Sequence, residues 1–392
     1  MRALDILHSR LSDAMAFMHR ARWQALWCAV QAVLGGERLW LTALGRARPG
    51  TARRRHAIKA IDRLLGNAAL HASRHLIYRA ITQQIVRPGS HPVVLVDTVE
   101  IRAGWFALVA TVPFRGRSFP IYGHVTRTVK PRAPALARFL RDLKEVLPTG
   151  CRPVLVSDAG FESPWFDAVQ AMGWDYVGRV RNRTKLLVDG RWMSNRAVHR
   201  RAGSRAKNLG PVAFPKKCPA FRRMVLAKEP VTSHRRRRGR RGRVKDNGFE
   251  RRMRKSARQP WLLATSLTSR PSSVVSVFAL RMRIEQTFRD TKNHRWGWSL
   301  RHCGSRSASR LDNLLLIGAL GLLVQQVVGV AAENLQLHHE HQANTERRRR
   351  VLSIFVLGGL VLRAADRRVT PISVSKALVQ VRAATANSAG VT

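Results

Sequence analysis

At Pro92 the hydrophobic period of this chain changes, and that change limits what the chain can fold into. Up to about residue 85, apolar side chains recur at helical spacing through Ala14–Val33 and Ile58–Ile81, with Arg and Lys between them. Beyond Pro92 the apolar runs become short and β-branched. Val93–Val96 reads as a buried strand ending at Asp97. Trp105–Val112 and Phe119–Val125 read as two more, separated by the turn-rich Phe114-Arg115-Gly116-Arg117. Pro153–Ser157 is a fourth strand, ending at Asp158, and Tyr176–Val180 a fifth. Helical periodicity returns between them, over Ala133–Leu147 and Ser163–Met172. Strands interleaved with helices predict an α/β fold, a mixed sheet with helices on its faces. Both aspartates then stand at the C-terminal ends of strands, where ligand sites gather in open α/β sheets.

The rest of the chain divides by composition. Residues 183–260 are rich in Arg and Lys, with strand-like Leu186–Val188 and Met224–Leu226 and a nearly unbroken arginine run over 235–243. Such a run is either a phosphate-binding arm or a segment that orders only on DNA. Trp261–Thr265 returns to strand, a helix follows from about Ser273 to Thr291, and an apolar helix spans about 311–335. Val351–Val361 suggests one more helix, and the last dozen residues read as loose. The expected domains are a helical N-terminal region (1–88), the first part of an α/β core (89–182), a basic β-rich insertion (183–260), the second part of the core (261–335) and a helical tail (336–392).

Charge decides the class of partner. Lys and Arg number 71 against 23 Asp and Glu, a net charge of +48. So large an excess would repel itself in an isolated compact protein, so a polyanion is the expected ligand: DNA, RNA or an anionic membrane surface. A hydrophobic fraction of 45% excludes a merely disordered basic tail. The cluster Arg53–Lys59 at a helix start is either a phosphate contact or a solvated face. Leu314–Ala332 is 19 residues without a charge, the lower limit for a membrane span, but Gln325 and Gln326 inside it favour a buried core helix. The N-terminus lacks the apolar run of a secretory signal, and Cys28, Cys151, Cys218 and Cys303 show no metal-ligand spacing. A cytoplasmic protein with reduced thiols and no zinc is expected.

The chemistry centres on Glu285. Phe278, Arg281, Glu285 and Lys292 fall within roughly 60° of one another on a helix, with Arg289 close by. A carboxylate between cations stays ionised and can bind metal while the cations bind phosphate. Two-metal phosphoryl transfer needs hard oxygen ligands converging from different elements. One metal activates an attacking hydroxyl and the other stabilises a leaving 3′ oxygen. Asp97, Asp158 and Glu285 are the candidates for that set. Glu100 is set aside because strand alternation puts it on the opposite pleat from Asp97. Glu162 and Asp167, also close to these aspartates in sequence, are weaker candidates.

The spacing Phe278-(2)-Arg281-(3)-Glu285-(6)-Lys292 resembles the Tyr-(2)-Arg-(3)-Glu-(6)-Lys signature of DDE transposases of the insertion-sequence-four family, the group that includes the transposases of transposons five and ten. Other segments of this sequence also resemble parts of the family: Val94-Leu95-Val96-Asp97-Thr98 its first-aspartate motif, Asp158-Ala159-Gly160-Phe161 its second, Ala60–Asn67 an N-terminal stretch, and Trp261–Thr265 the strand before the signature helix. The likeness covers residues from about 55 to 330. It implies a ribonuclease-H-like core and a DNA-binding N-terminal region. It also implies two Mg²⁺ or Mn²⁺ ions on Asp97, Asp158 and Glu285, and cut-and-paste transposition through a DNA hairpin. Arg281 and Lys292 would bind phosphates, and Trp261 would stack a flipped base. Phe278 stands where the family has Tyr, so the hydroxyl is missing and the ring remains. The partners implied are the element's terminal inverted repeats, target DNA and a second copy of the chain. Two other classes stay open at this level: a non-catalytic basic nucleic-acid-binding protein, and a membrane-associated protein held by residues 314–332.

Overall fold

The computed structural model describes residues 2–181, 184–228, 259–293, 297–343, 345–346 and 348–386. The arginine run at 235–243 lies outside the described residues. The fold is mixed α/β and divides into two compact units: residues up to Val154 together with those from Leu280 on, and Leu155–Ala279.

The first unit begins with helices α1 (Arg2–Ala14), α2 (Arg20–Leu34), α3 (Leu41–Arg46), α4 (Arg54–Leu65), α5 (Ala68–Ala72) and α6 (Arg74–Ile85). An antiparallel meander follows, β1 (Val93–Arg102), β2 (Trp105–Phe114) and β3 (Arg117–Thr126), and then α7 (Ala133–Val146). Two-residue turns close both hairpins. Gly104 (φ 71°) supplies the left-handed position of the first, and Arg115 (φ 38°) and Gly116 (φ 83°) supply both of the second, the backbone that matches strand twist. This tight closure corrects one sequence expectation. Pairing with β2 runs from Leu95↔Thr111 to Arg102↔Trp105, so β1 continues five residues past Asp97. Asp97 therefore lies inside a strand, not at its end, opposite Val109.

The second unit holds β4 (Val154–Ser157), α8 (Ser163–Ala171), β5 (Asp175–Arg179), β6 (Lys185–Val188), β7 (Arg191–Ser194), α9 (Asn195–His199), β8 (Lys207–Phe214), β9 (Ala220–Ala227), β10 (Trp261–Thr265) and α10 (Pro271–Ala279). Its strand order is β4-β5-β10-β9-β8-β6-β7. Helix α8 lies so close to β5 that a Cβ on Gly178 would come within 2.2 Å of the Phe166 ring.

The chain returns to the first unit with α11 (Met282–Lys292), α12 (Ala308–Asn334), α13 (His338–His341), α14 (Ile354–Ala364) and α15 (Pro371–Ala386). A single helix from Ser273 to Thr291 is not what forms. The ladder is interrupted at Leu280–Arg281, where Arg283 N donates to Leu280 O and Ile284 N to Arg281 O, bonds one residue shorter than α-helical ones. Of the last dozen residues, those up to Ala386 belong to α15, whose buried stripe is Val374, Leu378, Val381 and Thr385, at offsets of four, three and four; residues 387–392 lie outside the described residues.

Helix α12 is the core of this unit. By length and hydropathy it is a helix that could cross a bilayer, yet 94% of its most apolar window is buried inside the fold, against α2, α14, α15 and β3. Its polar side chains find protein partners. Gln325 Nε2 donates to Phe355 O (2.7 Å), Gln326 Nε2 to Ser118 O (3.2 Å) and Asn313 Nδ2 to Leu65 O (3.0 Å). Helix α14 crosses with backbones nearly touching: a Cβ on Gly358 would stand 1.8 Å from Gln325 O, and one on Gly329 1.9 Å from Ile354 O.

Asp312, 1% exposed, carries the buried carboxylate of this helix. Arg74 Nη1 lies 2.9 Å and His71 Nε2 3.1 Å from it, and Val125 N donates to it at 2.8 Å; His124 Nδ1 stands farther off, at 3.6 Å. Burial alone would raise the carboxyl, but His124, Arg74 and His71 outweigh it and hold it below the ordinary carboxylate range. Asp312→Ala leaves Arg74 buried without its partner, at a cost of about 3–5 kcal/mol in a denaturant melt. Because the folded carboxyl is the stronger acid, the wild-type contribution is full above the unfolded value near ~3.9 and fades as pH falls through the folded one. A melt of Asp312→Ala matching wild type at neutral pH would refute this.

Candidate active site

Helix α11 is set on the meander by its inward stripe. Ile284 is fully buried and Thr287 nearly so. Thr287 Oγ1 accepts from Ser118 N at 2.8 Å, which ties the helix to β3. Asp290 takes Arg117 Nε at 2.7 Å and the Ser353 hydroxyl at 2.7 Å. Thr287 and Asp290 are positioning residues that the sequence reading passed over. The signal was present in the Ile284, Thr287, Thr291 spacing, the inward period of a helix with polar members.

This seating brings Glu285 to Asp97. Arg281, 14% exposed, sits between them: Nη2 is 2.7 Å from Glu285 Oε1 and Nη1 3.7 Å from Asp97 Oδ2. The other Asp97 oxygen accepts from Thr98 N at 2.8 Å. Lys292 lies on the Glu285 face of α11, two turns on. Partial desolvation holds its ammonium below the ordinary lysine value, against the opposing pull of Glu100 and then Asp97. Glu100, set aside by strand alternation, is exposed and close enough to act on Lys292; β1 has a register irregularity between Glu100 and Arg102. Arg289 is exposed, about 40° around the helix from Glu285.

The remaining candidates belong to the other unit. Asp158 follows β4 directly, and its Oδ1 accepts from Gly160 N at 2.7 Å. Residue 160 has no room for a side chain without crowding, since a Cβ there would lie 3.0 Å from that oxygen. Phe161, buried against Trp165 at 4.9 Å between centroids, anchors the turn. Trp261 and Phe278 are 7% and 3% exposed, and their rings meet edge to face at 4.9 Å. Phe278 is thus in α10 and Glu285 and Lys292 in α11, two helices rather than the one continuous helix expected.

Among the described residues no group of three or more His, Cys, Asp or Glu side chains is arranged to hold a metal ion. The donors at hand suit a hard divalent cation all the same: two carboxylates from a strand and a helix, already sharing one positive charge.

A strongly basic α/β chain in which strand and helix carboxylates meet among arginine and lysine is of the class that acts on nucleic acid. The family comparison narrows this. The Transposase DDE domain model matches residues 91–322, more than half of the chain, and the protein belongs to that family. It is a transposase, and DNA is its substrate. No curated protein matches the chain.

Burial makes a prediction about Trp261. Its replacement by Ala should cost about 3–5 kcal/mol, the loss of a large core aromatic, read as a lower denaturant midpoint at unchanged slope. A change within about 0.5 kcal/mol would mean the ring is not a core residue.

Proposed function

We propose that this transposase is of the insertion-sequence-four kind and moves its element by cut-and-paste, with Asp97, Asp158 and Glu285 as the metal-binding set. The observation that supports this most is the junction of Asp97 and Glu285 on one guanidinium, since two carboxylates from separate elements are gathered where cations are welcome. Two Mg²⁺ or Mn²⁺ ions, when bound, supply the Lewis acidity for hydrolysis at the element's end, for hairpin formation and opening by the freed 3′ end, and for joining to target DNA.

The chain's own residues do the holding and orienting. The three carboxylates bind the cations. Arg281, Lys292 and Arg289 bind DNA phosphates along α11. Trp261 stacks a base flipped from the element's end, which requires its ring to leave the contact with Phe278. Phe278 has no hydroxyl to give a phosphate and contributes only its ring.

Around this site the core is ribonuclease-H-like, in two parts over 89–182 and 261–335. The helical region 1–88 binds DNA, with the basic start of α4 among its contacts. The basic insertion 183–260 is a second DNA arm, and the tail packs on the core through α14 and α15. The partners are the element's terminal inverted repeats, target DNA and a second copy of the chain bridging paired ends. The protein works in the cytoplasm, on the nucleoid, without a membrane, and the enclosed α12 agrees with that.

Asp97→Ala, Asp158→Ala and Glu285→Ala should each abolish Mg²⁺-dependent cleavage of a duplex carrying the element's terminal inverted repeat, while a gel shift still shows binding. Cleavage at the wild-type rate by any of the three would remove that residue from the set. DNA affinity should also fall steeply between low and physiological salt, because many phosphate contacts release counterions. A flat salt response would contradict the basic arms.

A further inference from the structure

We infer that Arg281 is the built-in counter-ion of the metal site: it fills the place between Asp97 and Glu285 that a divalent cation would take, and DNA phosphate draws it away, so that DNA binding and metal loading are coupled. The inference rests on the metal-binding reading of those carboxylates proposed above.

The geometry carries it. One guanidinium uses two different nitrogens toward two different carboxylates, 2.7 Å from Glu285 and 3.7 Å from Asp97. A planar cation placed so lies where any ion shared by the two carboxylates must also lie. Arginine cannot lose its proton in a protein, so it cannot yield by neutralising; it has to move. The side chain can swing while its backbone stays fixed, because Arg281 caps α11 and its carbonyl accepts from Ile284 N at 3.2 Å. The destination is nearby. Lys292 and Arg289 are exposed on the Glu285 face of α11, so a DNA backbone drawn to them brings phosphate within reach of Arg281, whose fork suits phosphate as well as carboxylate. Glu100 and Lys292 also face this site and remain when Arg281 leaves.

The bland alternative is an i,i+4 ion pair on a helix, worth a few tenths of a kcal/mol at most and without effect on metal. The two accounts differ in what removing the guanidinium does. Mn²⁺ binding to the full-length protein, followed by electron paramagnetic resonance with and without a DNA duplex of arbitrary sequence, separates them. Without DNA, Arg281→Gln should bind Mn²⁺ about tenfold more tightly than wild type. Arg281→Lys, which keeps the charge, should stay near wild type. DNA should raise the affinity of wild type by a larger factor than that of Arg281→Gln. Thermal melts establish that the variants are folded, and Arg281→Ala, which also removes the charge, carries the comparison of metal affinity and DNA coupling if Arg281→Gln is not. Equal Mn²⁺ affinity in wild type and Arg281→Gln, or an equal gain from DNA, would overturn the counter-ion role and leave the metal reading standing. Mn²⁺ binding undiminished in Asp97→Asn and Glu285→Gln would overturn both.

Discussion

Two carboxylates cannot be held side by side without something to offset their repulsion, and the first unit of this protein is organised around meeting that condition. Asp97 is fixed by β1, which is paired over its length with β2. Glu285 is fixed by α11, which is pinned to β3 through Thr287 and Ser118 and to Arg117 through Asp290. Neither element could relax to separate the charges without breaking buried hydrogen bonds. The offset comes from Arg281, placed at the helix break where its side chain reaches both carboxylates. A rigid frame and a guanidinium shared between the two carboxylates are what hold the charges together.

The frame depends in turn on α12. A helix this apolar is compatible with water only when other elements cover it. Here four buried polar side chains along it meet specific partners: the Asn313 amide the end of α4, Asp312 the α6–β3 corner, the Gln326 amide the Ser118 carbonyl of β3, the Gln325 amide the α14 backbone. These contacts fix the rotation of the helix, which an all-apolar surface would leave less determined. Ser118 also carries the α11 contact, so the same residue links the core helix to the helix bearing Glu285.

Much of this was legible in the sequence, and the rest failed for local reasons. The change of period at Pro92 gave the helical start and the strand–helix alternation, because burial imposes those periods directly. The end of β1 was missed because Thr98 and Glu100 look polar in a run whose alternate members, Val99 and Ile101, continue the strand. The break at Leu280–Arg281 was missed because neither residue is a helix breaker; it is the hydrogen-bond pattern that shifts. For the site, the three-residue core Arg281, Glu285, Lys292 was readable as one helical stripe. The burial of Trp261 against Phe278 was not, since an aromatic at a strand start looks the same whether it faces solvent or core. β7 and α9 are short and β8 opens on polar and glycine residues, so all three carry too little periodicity to stand out.

The close crossing of α12 and α14 has a consequence for dissecting the protein. The segment that defines the family ends at residue 322, before α12 is complete. Helices α14 and α15, which lie beyond it, cover a flank of α12 that is apolar along most of its length. A truncated fragment stopping near the end of that segment would present a bare greasy ridge to solvent, and its fate would be aggregation rather than independent folding. What looks like an appendage at the C-terminus is the outer wall of the core.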